Sequence, residues 1–414
     1  MTDAAVATAD RAPRAAWIAL AVLTLMNLLN YIDRLVLPAV SEQIIHSELH
    51  PTNAQIGWLT TAFLVVYMLT APFFGAYGDR GHRPRLLAAG VGIWSLATAL
   101  GGLATSYGLL FASRSVVGIG EAAYGTIAPA LLADYFPARM RGRVLAIFYS
   151  ATPVGAALGY VLGGAIGARF GWRSAFFFVG IPGIALALFA LKLPESNVRA
   201  AKDAPGGFSN YLVLLRDPAY RFVIGGYAAY TFAVGGIAAW MPVFLQRTHG
   251  LSEASANVQF GAITVVTGFG GALVGGWLGD RLLRRWREAY LWLSGTSTLL
   301  AAPFAWLAFT LPAPHYLYAV FVAEVLIFLS TGPVNSSILS VVAPTMRAAA
   351  MALSIFAIHL LGDGPSPPLI GFLADRSDIR HAVMIIPIAV ALGGLIWLYA
   401  AWQGERAPAR GVPT

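Results

Sequence analysis

Long apolar runs separated by short polar stretches make up most of the chain. Twelve runs are long enough to span a bilayer, since a helix needs about 20 residues to cross about 30 Å. They fall at about 16–40, 54–77, 85–104, 107–135, 144–168, 172–193, 219–248, 254–279, 287–310, 314–343, 348–374 and 379–402. A polar segment, about 194–217, holds Pro194, Lys202, Pro205, Gly206 and Gly207 and has the composition of a linker. It predicts an N-terminal six-helix bundle (1–193), a linker (194–217) and a C-terminal six-helix bundle (218–414). The first run is interrupted by Asn27-Leu-Leu-Asn-Tyr-Ile-Asp-Arg34. At 100° per residue, Asn27, Asn30, Tyr31, Asp33 and Arg34 share about 160° of helix surface. A charge at this depth costs about 2.5–3.5 kcal/mol on insertion scales, and such charges face a protein interior or water. These residues are therefore candidates for a functional cavity.

Composition agrees with the pattern. Of 414 residues, 58% are hydrophobic and 11% charged, against about 45–50% and about 25% in soluble domains. This is the make-up of a polytopic membrane protein. The absence of Cys excludes disulfides, thiolate metal sites and Cys nucleophiles. The net charge of +8 lies in short loops, where it sets topology and does not form a nucleic-acid surface. One set of loops carries 20 of the 27 Lys and Arg and the opposite set 5, with Arg34 and Arg114 inside runs. That bias predicts cytoplasmic termini and a cytoplasmic middle segment. Residues 1–14 lack the pattern of a removable signal peptide.

The sequence also repeats. Gly75-Ala-Tyr-Gly-Asp-Arg80 ends the second run and Gly276-Trp-Leu-Gly-Asp-Arg281 the eighth; Gly164-Ala-Ile-Gly-Ala-Arg169 ends the fifth and Gly371-Phe-Leu-Ala-Asp-Arg376 the eleventh. Each half therefore holds two three-helix units of alternating orientation. This nested pattern resembles the major facilitator superfamily, with parallel halves made of inverted triplets. Gly75 to Arg85 is similar to that family's signature loop, with His82 where a second Gly is usual. Gly75 permits close helix approach. The resemblance implies a cytoplasmic gate of Gly75, Asp79, Arg80, Arg83 and Asp134: Asp79 faces the N-terminus of the eleventh helix, which the helix dipole favours, and Arg83 pairs with Asp134. The alternative is that these arginines only set topology.

The fourth run carries Arg114 and Glu121, about 20° apart in azimuth and about 10 Å apart along the axis. Gly118 and Gly125 share their stripe, as in a cavity wall; a buried Arg–Glu pair that only fixes packing is the alternative. The motif around Arg114 also resembles a superfamily motif tied to proton coupling. Gly155, Gly159, Gly163 and Gly164 in the fifth run resemble the glycine motif of antiporters, with close helix packing as the plain alternative. The C-terminal half offers Tyr227, Tyr230 and Trp240, then Glu324, Ser330, Thr331 and Asn335, then His359 and Asp363. Glu324 is its best cavity candidate. Gly362 to Pro368 predicts a kink in the eleventh run.

Asn30-Tyr-Ile-Asp-Arg34, Gly120 to Pro129 with Ala133 to Phe136, and Arg141 to Tyr149 resemble a bacterial member of the Spinster-like branch. The resemblance implies proton-linked alternating-access transport of amphipathic lipids, by a monomer in the bacterial inner membrane. It places Asp33, Arg34, Arg114 and Glu121 in the central cavity. Expected proton-coupling residues are Asp33, Glu121 and Arg114. Expected substrate contacts are Asn30, Tyr31, Arg34, Arg114, Glu121, Tyr227, Tyr230 and Glu324. A proton-coupled organic-anion symporter and a drug/proton antiporter of the same superfamily remain as alternatives. No H-E-x-x-H, G-x-S-x-G or metal-ligand cluster occurs, so no enzyme, cofactor or metal is expected.

Overall fold

The computed structural model describes residues 13–78, 82–195, 209–343 and 346–406. It is all-helical among these residues. The first six helices are α1 (Arg14–Ile45), α2 (Asn53–Gly78), α3 (Arg83–Gly101), α4 (Tyr107–Tyr135), α5 (Ala138–Phe170) and α6 (Trp172–Ala190). A short helix, Ser209–Arg216, follows inside the polar middle segment, where the sequence predicted only a linker. Then come α7 (Pro218–His249), α8 (Glu253–Leu283), α9 (Ala289–Thr310), α10 (His315–Phe328 and Thr331–Ser340), α11 (Arg347–Ile358, His359–Asp363 and Ser366–Arg376) and α12 (Ile385–Arg406). Eleven helices among the described residues are long and apolar enough to cross a membrane. The remaining helix, α3, is 19 residues long and opens on Arg83 and Arg85. Leu69, Phe73, Leu273 and Ile388 are 60–68% exposed, a surface that only lipid would cover.

Local chemistry sets the helix ends. Ser106 accepts from the Leu109 N–H at 3.3 Å and caps α4. Asp217 caps α7, which begins on Pro218 and ends at Gly250 in the left-handed region, φ 65°. Thr52 and Gln55 form a reciprocal capping box at α2, with bonds of 2.9 and 3.2 Å.

Two helices break inside the membrane. In α11 the turn over His359–Asp363 is a π-helix, closed by a Gly364 N–H to His359 carbonyl bond of 3.0 Å. Pro365, Pro367 and Pro368 lack the N–H groups that would continue the helix. The indole of Trp240 donates to the Pro367 carbonyl at 2.9 Å, satisfying one group. The expected kink therefore exists, and a π-turn carries it. In α10 the chain turns at Leu329–Ser330, a break the sequence analysis did not predict. Pro333 cannot donate to the Leu329 carbonyl. The Ser330 hydroxyl is instead held by Ser297 at 3.1 Å and Thr298 at 2.8 Å.

The chain divides into two compact units. The first comprises Met1–Pro51, Trp58–Lys202 and Ser252–Gly261, the second Thr52–Gly57, Asp203–Leu251 and Ala262–Thr414. In the first, α1 packs along α5, and α3 packs on α4 and α6. The glycines of α5 make the first contact possible. A Cβ on Gly155 would lie 2.6 Å from the Leu28 carbonyl oxygen, and one on Gly159 2.8 Å from that of Ile32. Trp94 and Tyr124 meet edge to face at 5.3 Å in the core. In the second unit, α12 packs on α7 and α9, and α10 on α9.

This packing gives a direct test. Gly159→Val should destabilise the protein by about 1–3 kcal/mol, because overpacking forces the backbone to move. Gly270→Ala, where a Cβ meets nothing within 4 Å, should be neutral or slightly stabilising. Thermal unfolding of both variants in detergent would check the contrast; equal losses would show that the α1–α5 approach is not the constraint.

Candidate functional site

The polar face of α1 lies largely inside the first unit, where Asn27, Asp33 and Arg34 each meet a different partner. Asn27 donates to the Phe148 carbonyl at 3.0 Å and to the Thr152 hydroxyl at 3.3 Å, both on α5. Asp33 is fully buried. It accepts from Nη1 of Arg114 on α4 at 2.9 Å and from the Thr98 hydroxyl of α3. The neighbouring Arg34 points elsewhere: its Nε donates to Glu121 Oε2 at 2.7 Å. Two adjacent residues of α1 are therefore matched to two residues of α4 two turns apart. Arg114 and Glu121 share a stripe, as their spacing required, yet each is neutralised by α1 and they do not pair with each other.

Aromatic rings complete this site. The Arg34 guanidinium lies 5.1 Å from the Tyr31 ring centre, 5.0 Å from Phe63 and 5.4 Å from Tyr67. Arg114 lies 5.8 Å from the same Phe63 ring. A ring face attracts a cation most strongly where water is excluded. Phe63, Tyr67 and Thr98 were not singled out from the sequence. Tyr67 and Thr98 stand as polar positions inside apolar runs, the only signal they offered. On Asn30, Arg114 and Glu121, three buried atoms have no hydrogen-bond partner among the described residues: Asn30 Nδ2, Arg114 Nε and Glu121 Oε1. They leave two donors and one acceptor available within one cluster. The Arg34 side chain is 23% exposed and that of Glu121 fully buried, so this pair is reached from the Arg34 side. Such a cluster can bind an anion on arginine and exchange a proton at a carboxylate, and it has no nucleophile or metal set.

The second unit handles its buried acid differently. Glu324 of α10 is 4% exposed and accepts from the hydroxyls of Thr264 at 3.1 Å and Thr267 at 2.7 Å, both on α8. No arginine faces it among the described residues. Tyr230 lies 3.3 Å from the Thr331 hydroxyl, and Tyr227, Tyr230 and Trp397 form one aromatic cluster with centroids 5.6–6.4 Å apart. Asn335 donates to the Thr331 carbonyl at 2.8 Å. His359 and Asp363 pair within the π-turn, at 2.9 Å. Trp240, a candidate from the sequence, is committed to the backbone of α11.

Of the loop residues, Arg83 forms an ion pair with Asp134 that joins the start of α3 to the end of α4. Its N–H also donates to Glu195 at 3.1 Å. Asp79 and Arg80 lie outside the described residues; Gly75 is in the last turns of α2. The fourth copy of the repeated motif is fully described. Asp375 accepts from the Asn53 N–H at 2.8 Å, the Ala54 N–H at 2.9 Å and the Asn53 side chain at 2.7 Å. A carboxylate at the end of α11 thus caps the N-terminus of α2, where the helix dipole favours negative charge.

Residues 23–362 match the Major Facilitator Superfamily. The chain is 33% identical to the protein spinster homolog 1 of Xenopus tropicalis, over 92% of this chain and 79% of that one. It is 32% identical to the sphingosine-1-phosphate transporter SPNS2 of Danio rerio, over 93% and 84%. Its fold is that of a bacterial homologue of the human lysosomal transporter Spinster, solved in an inward-facing and unoccupied conformation. The TM-score is 0.86 at 24% identity, covering 96% of this chain and all of that one.

The crossed pairing predicts a specific non-additivity. Arg34→Gln leaves Glu121 buried without its partner and should cost on the order of 3 kcal/mol of stability. Adding Glu121→Gln should recover at least a third of that loss. Thermal unfolding of the two single variants and the double variant measures it. A double variant no more stable than either single one would exclude this pair as the link between α1 and α4.

Proposed function

Because this chain belongs to the Major Facilitator Superfamily and to its Spinster family of transporters, we propose that it moves an amphipathic lipid with an anionic head, of the lysophospholipid or sphingoid-phosphate kind. The observation that carries this reading is Arg34, half-enclosed by Tyr31, Phe63 and Tyr67 and paired with Glu121. A guanidinium suits a phosphate because it offers paired N–H donors in one plane. The relative SPNS2 of Danio rerio, a sphingosine-1-phosphate transporter, supports the same ligand class.

The proposed mechanism is alternating access by two six-helix bundles, 1–193 and 218–414, linked through 194–217 and acting as a monomer. The buried carboxylates and the substrate compete for the arginines, and a proton on the carboxylate decides the outcome. With Asp33 ionised, Arg114 is held by it at 2.9 Å. A proton on Asp33 removes that charge and frees Arg114 for the anionic head. Glu121, whose Oε1 has no donor, plays the same part for Arg34. Asn30 and Tyr31 are the proposed contacts of the head in the first bundle, and Tyr227, Tyr230 and Glu324 are the proposed substrate contacts of the second. Gly75, Asp79, Arg80, Arg83 and Asp134 form the cytoplasmic gate, with the Arg83–Asp134 pair in support. The excess of Lys and Arg on one set of loops supports cytoplasmic termini, and the N-half motifs support a bacterial inner membrane. A drug/proton antiporter remains the alternative from the glycine motif, whose Gly155 and Gly159 also serve close helix approach.

The test is proton movement in proteoliposomes carrying a pH-sensitive dye inside, with lysophospholipid or a sphingoid phosphate added outside. The expected result is a substrate-dependent pH change that falls at least tenfold in Asp33→Asn. Silence with lipid but a response to short carboxylates would replace this reading with organic-anion symport. Lipid flux without proton movement would remove the coupling role from Asp33.

A further inference from the structure

At one end of the second unit, the starts of α7 and α9 and the ends of α10 and α12 surround a cavity of about 660 Å³. Its lining carries four charges, Asp217, Arg221, Arg287 and Glu288. Three are already engaged. Asp217 accepts from the Ala219 N–H at 2.9 Å as the cap of α7. Arg287 faces Glu288 at 3.5 Å and donates to the Gly404 carbonyl. Arg221 is exposed, and its side chain makes no ion pair or hydrogen bond with any described residue. Beside it, the Tyr399 hydroxyl accepts from Gln403 Nε2 at 2.7 Å. Its own O–H is left to donate. The Tyr399 ring meets Phe222 edge to face at 4.9 Å, so an apolar wall adjoins the donors.

The position of the cavity fixes its medium. Ends of membrane-spanning helices lie at the boundary between hydrocarbon and water. Tyr399, Trp402 and Trp286 are 39–51% exposed there, and exposed Trp and Tyr settle at headgroup depth. The Arg406 guanidinium lies 3.8 Å from the Trp402 ring centre. The helix Ser209–Arg216 runs directly into α7. It turns Leu214 inward and leaves Leu212, Val213 and Leu215 exposed, as a helix lying in the interface does.

We infer that this cavity holds the headgroup of an anionic phospholipid of the surrounding bilayer. The phosphodiester sits on Arg221 and the Tyr399 O–H, with the glycerol end of the acyl chains against Phe222. Arg221 is the one guanidinium of the lining that has no ion pair among the described residues, and it offers its N–H groups to the single negative charge of a phosphodiester. A choline headgroup brings its own cation toward Arg221 and is disfavoured. The lining lies within the second unit and shares no residue with the proposed transport site, so occupancy here is scored independently of transport.

Full-length protein, delipidated in detergent, would be given phosphatidylglycerol, phosphatidylcholine or inorganic phosphate, and bound lipid counted by native mass spectrometry. Phosphatidylglycerol should be retained several-fold better than phosphatidylcholine. Arg221→Gln should lower that preference at least fivefold and Arg221→Lys should keep part of it. Arg380→Gln, in the short helix Ile379–Ala382 that precedes α12, should leave it unchanged. Equal retention of the two lipids, or Arg221→Gln behaving as the unsubstituted protein, overturns the inference. Displacement of phosphatidylglycerol by millimolar inorganic phosphate would assign the site to a free anion and also overturn it.

Discussion

Two acid–base pairs buried in an apolar medium govern the first unit. Each lone charge at that depth is costly, so Asp33, Arg34, Arg114 and Glu121 persist only because every one finds an opposite. Consecutive residues on a helix point about 100° apart. Asp33 and Arg34 therefore diverge, and only a long side chain such as Arg34 can return to the α4 stripe that Arg114 also occupies. The result fixes the register of α1 on α4. A slip that set Arg34 against Arg114 or Asp33 against Glu121 would bring like charges together in low dielectric. The glycines of α5 hold α1 from its other side by steric fit. One helix is thus positioned by electrostatics on one face and by backbone contact on the other.

The second unit uses hydroxyls where the first uses ions. Glu324 faces Thr264 and Thr267, and the break in α10 is surrounded by Ser297, Thr298 and Ser330. Hydroxyls can donate or accept and carry no net charge, so these contacts can exchange partners at lower cost than an ion pair. The two interrupted helices, α10 and α11, also belong to this unit. Non-helical backbone at membrane depth is tolerated where other protein groups satisfy it, and Trp240 does so for α11.

Much of this was legible in the sequence because it is one-dimensional. Run length gives helices, Lys and Arg bias gives topology, and Gly362 to Pro368 marks a break through missing N–H groups. The stripe of Arg114 and Glu121 follows from helical periodicity. Their partners do not follow, because azimuth on one helix says nothing about which residue of another lies opposite. The spacing invited an Arg114–Glu121 pair and the structure divides them between Asp33 and Arg34. Phe63 and Tyr67 are invisible for the same reason: an aromatic in an apolar run looks like lipid-facing surface until a cation is found above its face. Pro333 was present in the tenth run, but the α9 hydroxyls of Ser297 and Thr298 that hold Ser330 beside the break cannot be read from that run.

The contact between Asp375 and the start of α2 bears on how the protein is made. Two first-turn N–H groups of α2 find their acceptor 322 and 321 residues later in the chain. Chains are synthesised at roughly 5–20 residues per second, so these groups await their partner for tens of seconds after α2 has left the ribosome. Through that interval the helix end depends on Thr52 and on solvent. A nascent chain interrupted before α11 never acquires the carboxylate, and its second helix keeps a half-capped end that a membrane chaperone or protease can distinguish from the finished protein.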